Sequence, residues 1–312
     1  VSFEKRYLRY VINLNSGKFN SPSNAQQAFD NGSDTLTLDG VRSVATLLHV
    51  QGGATPYVGN AQIQIWGMKD ADMAKLSTLG LDISRINQNA LSVFAYNKGN
   101  SESAINVFNG TISNARLNYN AMPDVLLELE AYASFGQQTQ TIPGTSVQGD
   151  ADVATMLQGI CAACNPPVTF VNNGVAAQLS NPAHAGSPEQ QIREICLAAG
   201  ISYQLSGNVL TIHNRGNPID GVVIDVGPDS GMIGYPEYNL LGFDVTMQFN
   251  PEVRVGRQIN MQASGTAKPM PIPGVPGTYY IWTVSHELSS ELPGGPWFTR
   301  ASLLAHGQYL RS

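Results

Sequence analysis

The feature that most constrains this chain is a change of hydrophobic period, from two to 3.6 and back to two. Up to about residue 140 apolar side chains mostly alternate with polar ones, as in strands with one face buried. In Ala61-Gln62-Ile63-Gln64-Ile65-Trp66-Gly67, Ile63 and Ile65 share one face and Gln62 and Gln64 the other. Residues Ile105 to Phe108, then Asn109-Gly110, then Thr111 to Ser113 read as a hairpin, because Asn-Gly takes the positive φ angles of a tight two-residue turn. Val125, Leu127, Leu129 and Ala131 alternate with Leu126, Glu128, Glu130 and Tyr132. That run reads as a strand, although Leu and Glu also suit a helix.

Residues 141–152 hold turn and linker chemistry, and the helical period starts after them. Asp152 can cap a helix in which Val153, Met156, Leu157, Ile160, Cys161 and Cys164 share a face, and Asn165-Pro166-Pro167 stops it. A second helix has Ser187 as its cap, Pro188 at its first position and Gly200 at its close. Ile201 to Leu205 and Val209 to His213 form a hairpin around Ser206-Gly207-Asn208. From about residue 219 period two returns: Phe243, Val245, Met247 and Phe249 oppose Asp244, Thr246, Gln248 and Asn250, followed by strands at Arg257 to Gln262, Tyr279 to Glu287 and from Trp297. The expectation is a mainly β protein with β domains at 1–140 and 219–312 flanking a small α+β domain at 141–218. Pro269, Pro271, Pro273 and Pro276 fall between Ala263 and Gly277, where missing donors favour an extended, exposed loop suited to binding a partner.

Composition narrows the function. Only 13% of residues are charged, about half the ~25% of an average soluble domain, whereas helical bundles carry many charges on their wet faces. Low charge together with 31 Gly and 18 Pro suits extended structure and large protein–protein contacts. A net charge of −6, with no basic run beyond Glu4-Lys5-Arg6, disfavours wrapping nucleic acid. No apolar run reaches the roughly 18–20 residues of a membrane-spanning helix, and the opening residues lack the apolar core of a secretory signal, so a soluble chain made in a cytoplasm is expected.

Candidate chemistry is sparse. Cys161-Ala162-Ala163-Cys164 lacks a second ligand pair for zinc among His49, His184, His213, His286 and His306, and it sits near a helix end rather than at the N-terminus that activates a redox thiol. With Cys196, these read as packed, reduced thiols. His286-Glu287 resembles the start of a zinc-protease signature, but Ser290 stands where the second His is required. There is no Gly-x-Ser-x-Gly elbow. Glu128 and Glu130 share a strand face and read as solvated; Gly231-Met232-Ile233-Gly234 and Gly52-Gly53 read as turns. Trp66, Trp282 and Trp297, with Tyr279 and Tyr280, can stack on sugars, but the step of Trp282 with Tyr280 and Val284 favours core or interface packing. No catalytic constellation, metal set or cofactor site emerges.

The C-terminal third carries a resemblance. The run from Gly242 through Phe249, Pro251 and Gly256 to Gln262, then Gly277 to Leu288 with Tyr280 and His286, then Gly294-Gly295-Pro296-Trp297-Phe298-Thr299, resembles the baseplate hub proteins of contractile phage tails, a tail-tube-like family related to late control protein D and the hub domains of type VI spikes. Ser187 to His213 also resembles that family's middle region. About 130 residues carry the likeness, and the shared positions are packing and turn residues.

The resemblance implies a virion structural protein, a homotrimer with two tail-tube-like β-barrels per subunit, giving a pseudo-six-fold ring that joins a six-fold tube to a three-fold spike. Expected partners are tail tube, central spike, other baseplate (wedge) proteins and possible contact with the tape measure. DNA would only pass through the lumen, and no membrane insertion is expected. The baseplate would be assembled in the host cytoplasm. The chain ends at Ser312 without a β-needle or lysozyme-like segment, so spike and hydrolase are expected on other chains. The competing readings are a β-rich glycan-binding module and a tail-associated cell-wall hydrolase using Glu128 or Glu287.

Overall fold

The structure is a computed structural model and describes residues 5–13, 27–29, 35–51, 59–77, 90–97, 100–120, 122–206, 208–239, 242–262 and 277–305. The proline-rich loop with Pro269, Pro271, Pro273 and Pro276, and Gly52-Gly53, lie outside the described residues. The chain forms two units: residues 1–47, 59–140 and 287–297 make the first, and residues 48–58, 141–286 and 298–312 make the second.

In the first unit the strands are β1 (Arg6–Asn13), β2 (Gln27–Phe29), β3 (Thr35–Asp39), β4 (Ser43–Val50, as far as Leu47), β5 (Gly59–Trp66), β6 (Ala90–Asn97), β7 (Ile105–Asn118) and β8 (Leu126–Tyr132). They lie in the order β4-β5-β8-β7-β6-β1-β3-β2. Pairing from β5 through to β2 is antiparallel throughout. Alternation decides the faces: Leu8, Tyr10 and Ile12 on β1, Ile63 and Ile65 on β5, and Leu127, Leu129 and Ala131 on β8 are buried. Fully burying each large aliphatic contributes about 1.5–3 kcal/mol. Tyr10 enters this core because its hydroxyl donates to Ser43 Oγ at 2.9 Å, and Ser43 Oγ donates to Val41 O at 3.2 Å. Helix α1 (Asp70–Ser77) follows β5, and α2 (Phe135–Thr139) follows β8.

The second unit begins its main run with β9 (Thr145–Ser146), β10 (Asp150–Asp152), α3 (Val153–Ala163), β11 (Thr169–Asn173), β12 (Gln178–Ser180), β13 (Ala183–His184), α4 (Pro188–Ala198), β14 (Ile201–Ser206) and β15 (Val209–Asn214). Both helix starts are set by their caps. Asp152 Oδ2 accepts from Thr155 N at 2.8 Å, and Ser187 Oγ accepts from Gln190 N at 3.3 Å with Pro188 in the first turn. The two helices pack with a sheet of order β11-β15-β14, in which β11 runs parallel to β15 and β14 antiparallel. Gln191 fastens the preceding linker: its Oε1 accepts from Thr145 N and Oγ1, and its Nε2 donates to Pro143 O and Gly186 O.

The remaining strands are β16 (Val223–Val226), β17 (Met232–Tyr238), β18 (Gly242–Gln248), β19 (Gln258–Met261), β20 (Gly277–Ser290, to His286 in this unit) and β21 (Trp297–Ala305, from Phe298). They follow the order β17-β18-β21-β20, with β19 on β20 and β16 parallel to β19. Val245, Met247, Val253, Val255, Ile259, Ile281, Val284, Ala301 and Leu303 form their common core. The protein is thus mainly β with few helices, and among the described residues no pairing closes the strands of either unit into a barrel.

Asn109-Gly110 is not a hairpin turn. It lies inside β7, which runs unbroken for 14 residues between β6 and β8, with a bulge where Val93 faces Phe108 and Phe94 faces Asn106. Asn106 and Asn109 exchange side-chain hydrogen bonds at 2.9 and 2.7 Å, which consumes the local polarity that suggested a turn. Gly110 is required by crowding: a Cβ there would stand 2.7 Å from Tyr132 O and 2.8 Å from the Phe108 ring. Nor are Gly231 and Gly234 one turn. Gly231 (φ +89°) turns the chain, while Gly234 (φ +74°) lies in a register irregularity of β17. Helix α1 had no sequence expectation behind it.

Candidate functional site

Five of the seven family-motif positions lie in the second unit, on the turn between β18 and β19 and on β20. Phe249 leads into Asn250-Pro251-Glu252, a turn held by Asn250 Oδ1 accepting from Glu252 N at 2.9 Å and by Pro251 O accepting from Arg254 Nε at 3.1 Å. Gly256 closes this segment at φ +87°, where a Cβ would stand 3.1 Å from Ile219. Its amide donates to Ile281 O at 3.1 Å, and its carbonyl accepts from Ile219 N at 2.7 Å. The glycine therefore lets two chain segments close on strand β20.

His286 is the centre of the cluster. It is buried, its ring stands edge-on to Phe249 with centroids 5.4 Å apart, and His49 lies 6.1 Å away. Its Nδ1 is 2.9 Å from Thr299 Oγ1, which also accepts from Asn250 N at 3.1 Å. Burial, with the neighbouring His49 and Arg254 adding to it, pushes the imidazole down to about 3, so at neutral pH it is an uncharged packing and hydrogen-bonding group.

Tyr280 belongs to a second buried set. Its hydroxyl donates to Gln51 Oε1 at 3.1 Å, Gln51 Nε2 lies 3.3 Å from His213 Nε2, and Gln51 N donates to Trp282 O at 3.1 Å. His213 Nδ1 is within 3.0 Å of Asn217 O and 3.2 Å of Asn214 O. Gln51 and His213 are each 1% exposed. This relay joins β20, β15 and the segment after β4. Neither Gln51 nor His213 was a sequence candidate as a partner of Tyr280, because separations of 162 and 229 residues leave no local pattern to read.

Gly295 and Trp297 belong to the first unit. A Cβ on Gly295 would stand 2.2 Å from Ser289 Oγ, which donates to Pro296 O at 3.0 Å; this is a close turn that only glycine fits. Trp297 is buried beneath the Arg6 guanidinium, 5.6 Å from its ring. Nearby, Lys5 Nζ lies 3.4 Å from Glu291.

The residues weighed for chemistry do not assemble into a reactive site. Glu128 and Glu130 line an open groove of about 290 Å³ with Gln62, Gln64, Asn114 and Arg116. Glu128 accepts from Asn118 Nδ2 at 3.1 Å and pairs with Arg116, and these contacts hold its carboxyl below the ordinary range, opposite to what a general acid needs. Glu287 is exposed. Burial pushes the Cys161 and Cys164 thiols up to about 12 and 11, and Cys196 is raised too, so none is an activated nucleophile. Among the described residues no three His, Cys, Asp or Glu side chains are placed to hold a metal ion, and no helix is long and apolar enough to cross a membrane. Trp282 is half-buried against Tyr280 and Leu304, a packing role.

Comparison with known proteins agrees with this picture of a packed β scaffold. Several solved structures share its fold at low identity, among them the following. A tail protein from Neisseria meningitidis MC58 superposes with a TM-score of 0.59 at 11% identity, covering 97% of this chain and 98% of its own. The 43 kDa tail protein of prophage MuSo2 from Shewanella oneidensis gives 0.56 at 9%, covering 96% and 98%. The E. coli c3393 protein gives 0.53 at 9%, covering 85% and 73%; it is described as a type VI secretion component structurally similar to T4 tail proteins gp27 and gp5. No curated protein sequence matches. The family model for baseplate hub gp41 matches residues 79–294, which spans both units, and the chain belongs to that baseplate hub family.

Proposed function

We propose that the protein is the structural hub of a contractile tail baseplate, a homotrimeric adaptor between the six-fold tail tube and the three-fold central spike. The observation that carries the reading is the family match, extending over two mainly β units in one chain. Three copies with two such units each bring six mainly β units together, which reconciles the two symmetries. The motif residues Phe249, Pro251, Gly256, Tyr280, His286, Gly295 and Trp297 act in this reading as scaffold positions that fix turns and buried contacts. The division into β segments at 1–140 and 219–312 around an α+β segment at 141–218 is part of the proposal, as are the proline-rich partner loop and assembly in the host cytoplasm. Tube, spike and wedge proteins are the partners, with DNA only passing through. Catalysis plays no part in this reading, since Asn118 and Arg116 hold the Glu128 carboxyl below the ordinary range, opposite to what a general acid needs.

The test is the solution mass of the full chain, alone and mixed with a candidate spike protein. Three copies of a 33.4 kDa chain give about 100 kDa. A species of that mass for the chain alone, or a heavier complex holding three copies that appears only when spike is added, supports the hub. A monomer that stays monomeric with spike and tube proteins overturns it.

A further inference from the structure

We infer that the Tyr280–Gln51–His213 relay is a proton-operated latch that holds the α+β segment against strand β20 within the second unit. The argument starts from donor and acceptor counting. His213 Nδ1 faces two carbonyl oxygens, of Asn217 and Asn214, so it must carry the ring proton, and Nε2 is left as the acceptor. The group facing Nε2 is the Gln51 amide nitrogen, a donor. That orientation of the amide turns Gln51 Oε1 toward Tyr280, whose hydroxyl donates to it. Each polar atom in the chain of contacts then meets its opposite, and the three side chains, at 1–3% exposure, have little water to replace one another.

The same counting shows what a proton does. A second proton on His213 goes to Nε2, which then points N–H at the N–H of Gln51. The amide must turn over or let go, and turning over removes the acceptor from the Tyr280 hydroxyl. Either way the neutral arrangement is broken at the point where β15 is tied to β20. The groups hydrogen-bonded to the ring are the Gln51 amide and the Asn214 and Asn217 carbonyls, and burial disfavours the charged ring while those two carbonyls partly favour it. One protonation is thereby felt on three segments remote in sequence, β15, β20 and the residue after β4.

The latch does not depend on the oligomeric state and is tested on the full chain by hydrogen exchange at pH 7.5 and 5.0, corrected for the intrinsic pH dependence of exchange. If His213 stays neutral when closed and titrates near 6.5 when open, the open population rises by up to about thirtyfold between these pH values. Amides of 209–214 and 280–282 are expected to lose protection by roughly ten- to thirtyfold in the wild type. In His213→Gln, which cannot titrate, this extra loss disappears, while losses from other acid-sensitive groups remain. Equal pH dependence in wild type and variant overturns the latch. Should His213→Gln fail to fold, the ring nitrogens of selectively labelled wild-type protein decide: a neutral His213 with its proton on Nδ1 supports the assignment, and a proton on Nε2 overturns it. Neither outcome alters the mass test of the hub.

Discussion

Lowering the pH removes stability that the protein owes to keeping His286 neutral, and the size of the loss follows from its environment. In the folded chain the imidazole is held at about 3 by burial and by its neighbours His49 and Arg254. In the unfolded chain it titrates near 6.5. Between those values the unfolded state binds a proton that the folded state refuses, so stability rises with pH across the window. The contribution is complete above about 6.5 and is lost progressively as the pH falls toward 3. At pH 5 the loss relative to pH 7.5 is about 2 kcal/mol, a large part of the ~5–15 kcal/mol by which domains are stable. Urea unfolding at both pH values, followed by tryptophan fluorescence, measures it. His286→Asn is the comparison: it lacks a titrating ring, will be less stable at pH 7.5, and should show a pH dependence smaller by about 2 kcal/mol. The same difference between pH 5 and pH 7.5 in both proteins refutes the reasoning, because all other titrating groups are common to the two.

Gly110→Ala separates crowding from turn chemistry. A Cβ pressed against the Tyr132 carbonyl and Phe108 ring should destabilise by about 1–3 kcal/mol, less the ~0.5–1 kcal/mol that alanine recovers in an uncrowded strand; a urea midpoint at or above wild type contradicts the packing. Asp152→Ala should cost about 1 kcal/mol through the lost cap to Thr155, and Asp152→Asn much less, since an amide oxygen still caps; equal losses for the two would mean that charge rather than the hydrogen bond matters. Cys161, Cys164 and Cys196 should resist a thiol reagent in the native protein and react on denaturation, as burial opposes the thiolate; native labelling at the rate of an exposed thiol would contradict their burial.

Local signals carried much of the secondary structure. Period-two alternation placed β5, β8 and β18, because each has one dry face and one wetter face, and it placed β20 although Tyr279, Tyr280 and Ile281 are all buried there. The caps Asp152 and Ser187 placed both longer helices, because capping is completed within three residues. The same locality misread Asn109-Gly110. Its amides and its missing Cβ answer to Asn106, Phe108 and a carbonyl on β8, not to a turn. Motif residues were legible as positions without roles: Gly256, Gly295 and His286 stand out in the sequence, but the atoms that require them come from Ile219, Ser289, Thr299 and His49.

The sequence by itself determined a mainly β chain with a helical middle and sparse charge. Tertiary structure decided which segments share a unit. Residues 48–58 leave the N-terminal β run to join the second unit, and 287–297 leave the C-terminal run to join the first. It also decided that Gln51, His213 and Tyr280 form one buried relay. Alternation and capping depend on side chains a few residues apart, whereas partners for buried polar groups are chosen by which distant segments exclude water together.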